Sequence, residues 1–203
     1  MIRILSVILI SLLLGGVLAC GATAWPLRPG LIGLAAMVLA ALAARNYWLG
    51  LRLAAPGSPE RALWLGLGSA SVIVGHLVAS LWRIGPAMEL HTRAGHALGT
   101  DIWTLVLGSA IAYSIARDPE PRHDERDAQI AARGLSAGYW SLVGILLVLI
   151  LWLGFGADRA MPALSFAMIA HLLITAVIAS RLVCDGVQLH AYGRDRSIEE
   201  RES

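Results

Sequence analysis

Six apolar runs, separated by short polar or turn-forming segments, account for most of this 203-residue chain. They cover about Ile4–Ala19, Leu31–Leu53, Ala62–Trp82, Ile102–Ala116, Ser136–Phe155 and Ala163–Val183. Each approaches the ~20 residues that an α-helix needs to cross the hydrocarbon of a bilayer. None alternates with period two, so a barrel of short strands is not indicated. In hydrocarbon a spanning segment satisfies its own backbone only as a helix. The pattern therefore predicts an all-α, polytopic transmembrane helical bundle of about six spans in one domain, grouped as three hairpins without an internal repeat.

The connections carry turn chemistry: "WPLRPG", "APGSPE", "RIGPAMELHTRAGH" and "ADRAMP". Basic residues then orient the chain. With the N-terminus inside, the inner segments hold Arg3, Arg45, Arg52, Arg61, Arg117, Arg122, Arg126, Arg133, Arg181, Arg194, Arg196 and Arg201, and the outer loops hold Arg28, Arg83, Arg93 and Arg159. That is 12 of the 16 basic residues on one side, which by the positive-inside rule predicts a multi-pass bacterial inner-membrane protein with both termini in the cytoplasm. Trp25, Trp82, Trp103 and Trp152 sit where interfacial anchors are expected.

Composition sharpens this reading. The chain is 57% hydrophobic and 15% charged, below the ~25% charge of soluble domains. All its basic residues are arginine, the net charge is only +2, and no basic run points to nucleic acid. Cys20 and Cys184 fall near opposite membrane faces, which disfavours a disulfide, and there is no C-x-x-C or zinc spacing. The start, "MIRILSVILISLLLGGVLAC", resembles a lipoprotein signal in which Cys20 would be lipidated after cleavage. Leu18 is an unusual residue in such a signal, and an uncleaved first span is the reading preferred.

Between the fourth and fifth spans, "DPEPRHDERDAQIAARG" gathers eight of the chain's 30 charged side chains, with His123 beside them. Pro119 and Pro121 stiffen its start and disfavour helix there. "DERDAQIAARG" then restarts a helix, with Asp124 as N-cap, Asp127 three residues on and the acids at the positive end of the dipole. Glu125, Gln129 and Arg133 share one face, and Ala128, Ala132 and Leu135 make a narrow apolar stripe beside it. Gly134 and Gly138 form a G-x-x-x-G step for close helix approach. A solvated, well-capped helix start explains the segment; so does a docking surface made of Asp124, Glu125, Arg126, Asp127, Gln129 and Arg133.

Asp124, Glu125, Arg126, Asp127, Ile130, Arg133 and Gly134 match in order the pattern D-E-R-[DE]-x-x-I-x-x-[RK]-[AG]. This resembles an uncharacterised family of small bacterial integral membrane proteins, over roughly Asp124 to Arg196. The resemblance implies no activity, and family members accompany small helix-turn-helix regulators, which implies a docking or sequestering role.

His76 and His171 fall inside spans, at depths of roughly 9 and 14 Å from the outer end at 1.5 Å per residue. Two imidazoles at similar depth could hold haem b or a metal ion, or relay protons, with His91 and His96 adding to a metal site. Simple hydrogen bonding to Ser80, Ser165 or Thr175 also accounts for them and is the reading preferred. Gly68, Ser71 and Gly75 form a small-residue face. Asp101 precedes the fourth span, where it caps the helix and pairs with an arginine; Arg83 snorkels; Arg181 and Asp185 pair. The tail "GRDRSIEERES" reads as a frayed helix or disordered.

The leading expectation is a non-enzymatic protein, its partners being the lipid bilayer and a cytoplasmic regulatory protein, that tethers or sequesters the regulator or itself confers resistance or immunity. A haem- or metal-binding redox protein using His76 and His171 is the second reading. A small transporter is the third, disfavoured because no carboxylate lies near the centre of a span. Small-residue faces permit a homo-oligomer.

Overall fold

The computed structural model describes residues 1–21, 27–51, 57–117, 124–155 and 164–202, with the side chains of 51 and 195–202 left aside. Trp25, Arg52, Pro119, Pro121, Arg122, Arg159 and the turns around them lie outside the described residues, as does Ala163 at the start of the expected sixth span. Every described element is a helix: α1 Ile2–Cys20, α2 Pro29–Leu51, α3 Ser58–Ile84, α4 Arg93–Ala116, α5 Glu125–Phe155 and α6 Phe166–Glu202. All six are long and apolar enough to cross a membrane, so the protein is a multi-pass helical bundle.

The helices outrun the apolar stretches that reveal them, because a helix does not stop where hydrocarbon stops. α4 begins at Arg93, nine residues before the expected span, since the Thr92 hydroxyl accepts from the Gly95 N–H at 3.1 Å and caps it there. α3 starts with Pro59 in its first turn and ends at Gly85, whose φ of 87° only glycine adopts without strain. The Ser165 hydroxyl starts α6 by accepting from the Met168 N–H at 3.1 Å and donating to the Met88 carbonyl. The backbone of the polar tail, expected to fray, continues α6 as far as Glu202.

Residues from distant parts of the chain define two ends. Ile4, Leu63, Leu67 and Leu189 pack together with Trp64 and Tyr192 at the end that carries both termini. At the opposite end Arg83 reaches the Ala19 carbonyl, Gly30 meets Asp101, and Ser165 meets Pro86. The larger core, with Leu18, Met37, Ile73, Leu77, Leu105 and Met168, lies between them.

α3 is the hub. Of its most apolar stretch 61% is buried in the bundle, against 6% for α5. α1, α4 and α6 pack around α3, α2 packs chiefly on α4, and α5 packs on α6. Glycines set the closest approaches. A β-carbon on Gly15 would lie 2.7 Å from the His76 backbone nitrogen, and one on Gly75 would lie 2.9 Å from Leu12 Cα. Gly68 of the expected small-residue face also faces α1, near Ser11 and Val7, whereas the Ser71 hydroxyl turns back to the Leu67 carbonyl at 2.7 Å. α2 and α4 meet at Gly108, where a β-carbon would lie 2.9 Å from Leu34 Cα.

Trp82 and Trp103 are largely exposed, as membrane anchors are. Leu18 and Ala19 are 1% exposed and Cys20 ends α1 on its surface. α1, the span that such a cleavage would remove, packs extensively on α3.

Candidate functional site

Among the described residues, two polar centres stand out in the apolar bundle, one near each end. The first is at the terminal end, where α5 projects. The Asp127 N–H donates to Asp124 Oδ1 at 2.7 Å, and the Asp124 N–H donates to Asp127 Oδ2 at 3.4 Å. This is a reciprocal cap with aspartate in both roles, at the start that the sequence indicates. Asp127 does more than cap: its Oδ1 accepts from the Tyr192 hydroxyl of α6 at 2.6 Å. Ile130 is buried one turn further on.

Gly134 and Gly138 then lie against α6. A β-carbon on Gly134 would come 2.9 Å from the Cys184 carbonyl oxygen, and one on Gly138 would come 3.0 Å from Cys184 Cβ. The neighbour implied by the G-x-x-x-G step is therefore α6 of the same chain. Asp127, Ile130, Gly134 and Gly138 all face that helix. Opposite them Glu125, Gln129 and Arg133 are exposed, and so are Ala128, Ala132 and Leu135. Asp124 and Arg126 are exposed as well, while Asp127 is half-buried. The charged ladder and the narrow apolar stripe thus both face outward, on a helix held from behind. Asp127 belongs to the anchor and not to the free face.

Below this anchor, Gln188 Nε2 donates to Cys184 Sγ at 3.1 Å. The expected i, i+4 pair is present, with Arg181 Nε 2.9 Å from Asp185 Oδ1. The Asp185 side chain is wholly buried and faces Gly66 of α3, whereas Arg181 is more than half exposed.

The second centre joins four helices in the other half of the bundle. His76 is 2% exposed, and its Nε2 lies 4.0 Å from Asp101 Oδ2. The other carboxylate oxygen of Asp101 accepts from the Gly30 N–H at 3.1 Å, in the first turn of α2. Asp101 is itself 7% exposed and is the ninth residue of α4. It caps a helix other than its own, and it pairs with a histidine where sequence indicated an arginine. Arg83 instead donates to the Ala19 carbonyl at 2.7 Å and closes the C-terminal end of α1. Asp101 therefore lies inside α4, and not ahead of the helix as the sequence reading had it. Its place was hidden because α4 begins two turns earlier than the hydropathy suggests.

His171 stands apart from this pair. Its Nδ1 lies 2.8 Å from the Ala167 carbonyl and its own carbonyl accepts from Thr175 at 2.7 Å. Of the expected partners only Thr175 is involved, and through the backbone. His76 lies eight residues from the end of α3 and His171 five from the start of α6, or about 12 and 8 Å deep. His91 and His96 are exposed. Among the described residues no group of three or more His, Cys, Asp or Glu is placed to hold a metal ion.

Gly15 and the His76–Asp101 pairing are the residues that sequence reasoning missed. Gly15 could have been noticed as an in-helix glycine in phase with Gly75, but nothing local links residues 76, 101 and 30. No protein family, curated protein or solved structure matches the chain.

Proposed function

We propose that the terminal end faces the cytoplasm of a bacterium, and that the projecting turns of α5 dock a helix of a soluble regulatory protein, tethering or sequestering it without catalysis. The observation that carries this reading is the outward ladder Glu125, Gln129 and Arg133 beside Ala128, Ala132 and Leu135, on a helix fixed by the Asp127–Tyr192 bond and the Gly134 and Gly138 contacts. A preordered surface loses little entropy on binding. The 12 basic residues on this side support the orientation. The resemblance to membrane proteins that accompany helix-turn-helix regulators points the same way.

The order of the charges favours a foreign partner. Two copies in one membrane that meet face to face are related by an axis along its normal, so equal residues meet at equal height. Glu125 would then oppose Glu125 and Arg133 would oppose Arg133. A partner helix with a basic residue opposite Glu125 and an acidic one opposite Arg133 avoids that repulsion and covers the alanine stripe.

The test places a photo-crosslinking residue at Gln129 of the full chain in native membranes. One soluble protein is expected as the adduct, and the adduct is expected to vanish when Glu125→Arg and Arg133→Glu reverse the ladder. An adduct with a second copy, or one that survives the reversal, would overturn the reading.

A further inference from the structure

The His76–Asp101 centre plays no part in docking, and its geometry is unusual for a packing contact. Asp101 is oriented by the Gly30 N–H at 3.1 Å, at the positive end of α2. That bond presents the second carboxylate oxygen to His76 Nε2 at 4.0 Å. On the α1 side the backbone at Gly15 packs against α3 beside His76, where a β-carbon on Gly15 would lie 2.7 Å from the His76 backbone nitrogen. Yet His76 Nδ1 is buried and closes no hydrogen bond.

One ring nitrogen therefore faces a carboxylate, and the other is buried without a partner. A neutral imidazole carries a single N–H. The doubly protonated ring carries a charge, which the carboxylate beside it balances. We propose that His76 and Asp101 form a proton-binding site within the membrane-spanning bundle. The proton comes from water and adds to the lone pair of the imidazole, no other bond being made or broken; the loaded state is an imidazolium beside the Asp101 carboxylate.

Polar residues extend from the site in one direction along α3. Ser80 and Arg83 follow His76 at i+4 and i+7, on the same side of α3, and lead to the end opposite the termini. Ser80 is buried and Arg83 is exposed. The charged groups around the ring are few. α4 supplies Asp101 and α3 supplies Arg83; α1 contributes only backbone at Gly15. α2 contributes the Gly30 amide, two residues after the exposed Arg28. α6, on another side of α3, carries His171, which is engaged with Ala167. An ionisable pair enclosed in this way marks a functional position by default in a membrane protein.

Nitrogen magnetic resonance of the full-length protein, isotope-labelled at its six histidines, reads the protonation of each ring. One ring, missing from the spectrum of His76→Gln, is expected to pass from singly to doubly protonated as pH falls while the protein stays monodisperse. In Asp101→Asn, which keeps an acceptor for Gly30, the same ring is expected to lose about tenfold or more in proton affinity. His171→Gln is expected to leave it unchanged. A His76 ring that stays neutral throughout overturns the proposal, and this arm needs only the unaltered chain. So does a titration that is identical in Asp101→Asn.

Discussion

Gly15 and Gly16 are neighbours in α1 with opposite surroundings, which makes them a controlled test of the α1–α3 crossing. At Gly16 an added β-carbon meets nothing within 4 Å. Gly16→Ala should therefore gain part of the ~1 kcal/mol by which alanine exceeds glycine in a helix. At Gly15 the same carbon meets the backbone of Val72 and lies 2.7 Å from the His76 backbone nitrogen. Backbone atoms cannot rotate aside, so α1 and α3 must move apart by roughly 0.5–1 Å, enough to forfeit a quarter to a half of each contact along the crossing. Overpacking costs ~1–3 kcal/mol where side chains can adjust; here the upper part of that range applies. The two variants should differ by about 3 kcal/mol. The assay is unfolding in mixed micelles titrated with a denaturing detergent, read by labelling of the buried Cys184 thiol, with Cys20 as the exposed reference. Gly75→Ala should cost as much as Gly15→Ala, because it strikes Leu12 across the same crossing. The double variant should cost less than the sum, since the second carbon enters a gap that the first has opened. If Gly15→Ala matches Gly16→Ala, α1 does not cross α3 at this point.

Two further outcomes follow from the α5 and α6 contacts. Tyr192→Phe removes the 2.6 Å bond to Asp127 and should cost about 1.5–3 kcal/mol, visible as faster amide exchange over 125–133 with no change in α3; unchanged exchange would refute the anchoring role. Arg181→Ala leaves the buried Asp185 carboxylate opposite Gly66 and should cost about 2–3 kcal/mol, the low end for such pairs because Arg181 is largely exposed. Adding Asp185→Asn should restore more than half of that loss in the same detergent titration, and a further loss would contradict the pairing.

The six helices were legible because hydrocarbon forces one solution on an apolar run of this length. The Asp124 cap and the Gly134–Gly138 step were legible because both are local, set by spacings of three and four residues. The packing partners were not. In a helix that is apolar all round, periodicity no longer marks the buried face, so nothing in α5 announced that it rests on α6 and leaves most of its surface to lipid. Asp101 was misplaced for a related reason. Hydropathy locates the hydrocarbon, whereas the Thr92 cap locates the start of α4, and the carboxylate lies between the two. Its true partners come from residues 76 and 30, and only the fold brings them near.

The Gly30–Asp101 bond also has a meaning in time. Its two residues are 71 positions apart, so at ~5–20 residues per second the acceptor is synthesised roughly 4–14 s after the donor. α2 packs mainly on α4 and scarcely on α3. During that interval it has neither its main neighbour nor the group that seats its first turn. α1 and α3 can already lock through Gly15 and Gly75. α2 is thus a waiting helix, inserted early and placed late, and the newborn chain is most exposed to mispairing between the emergence of residue 30 and that of residue 101.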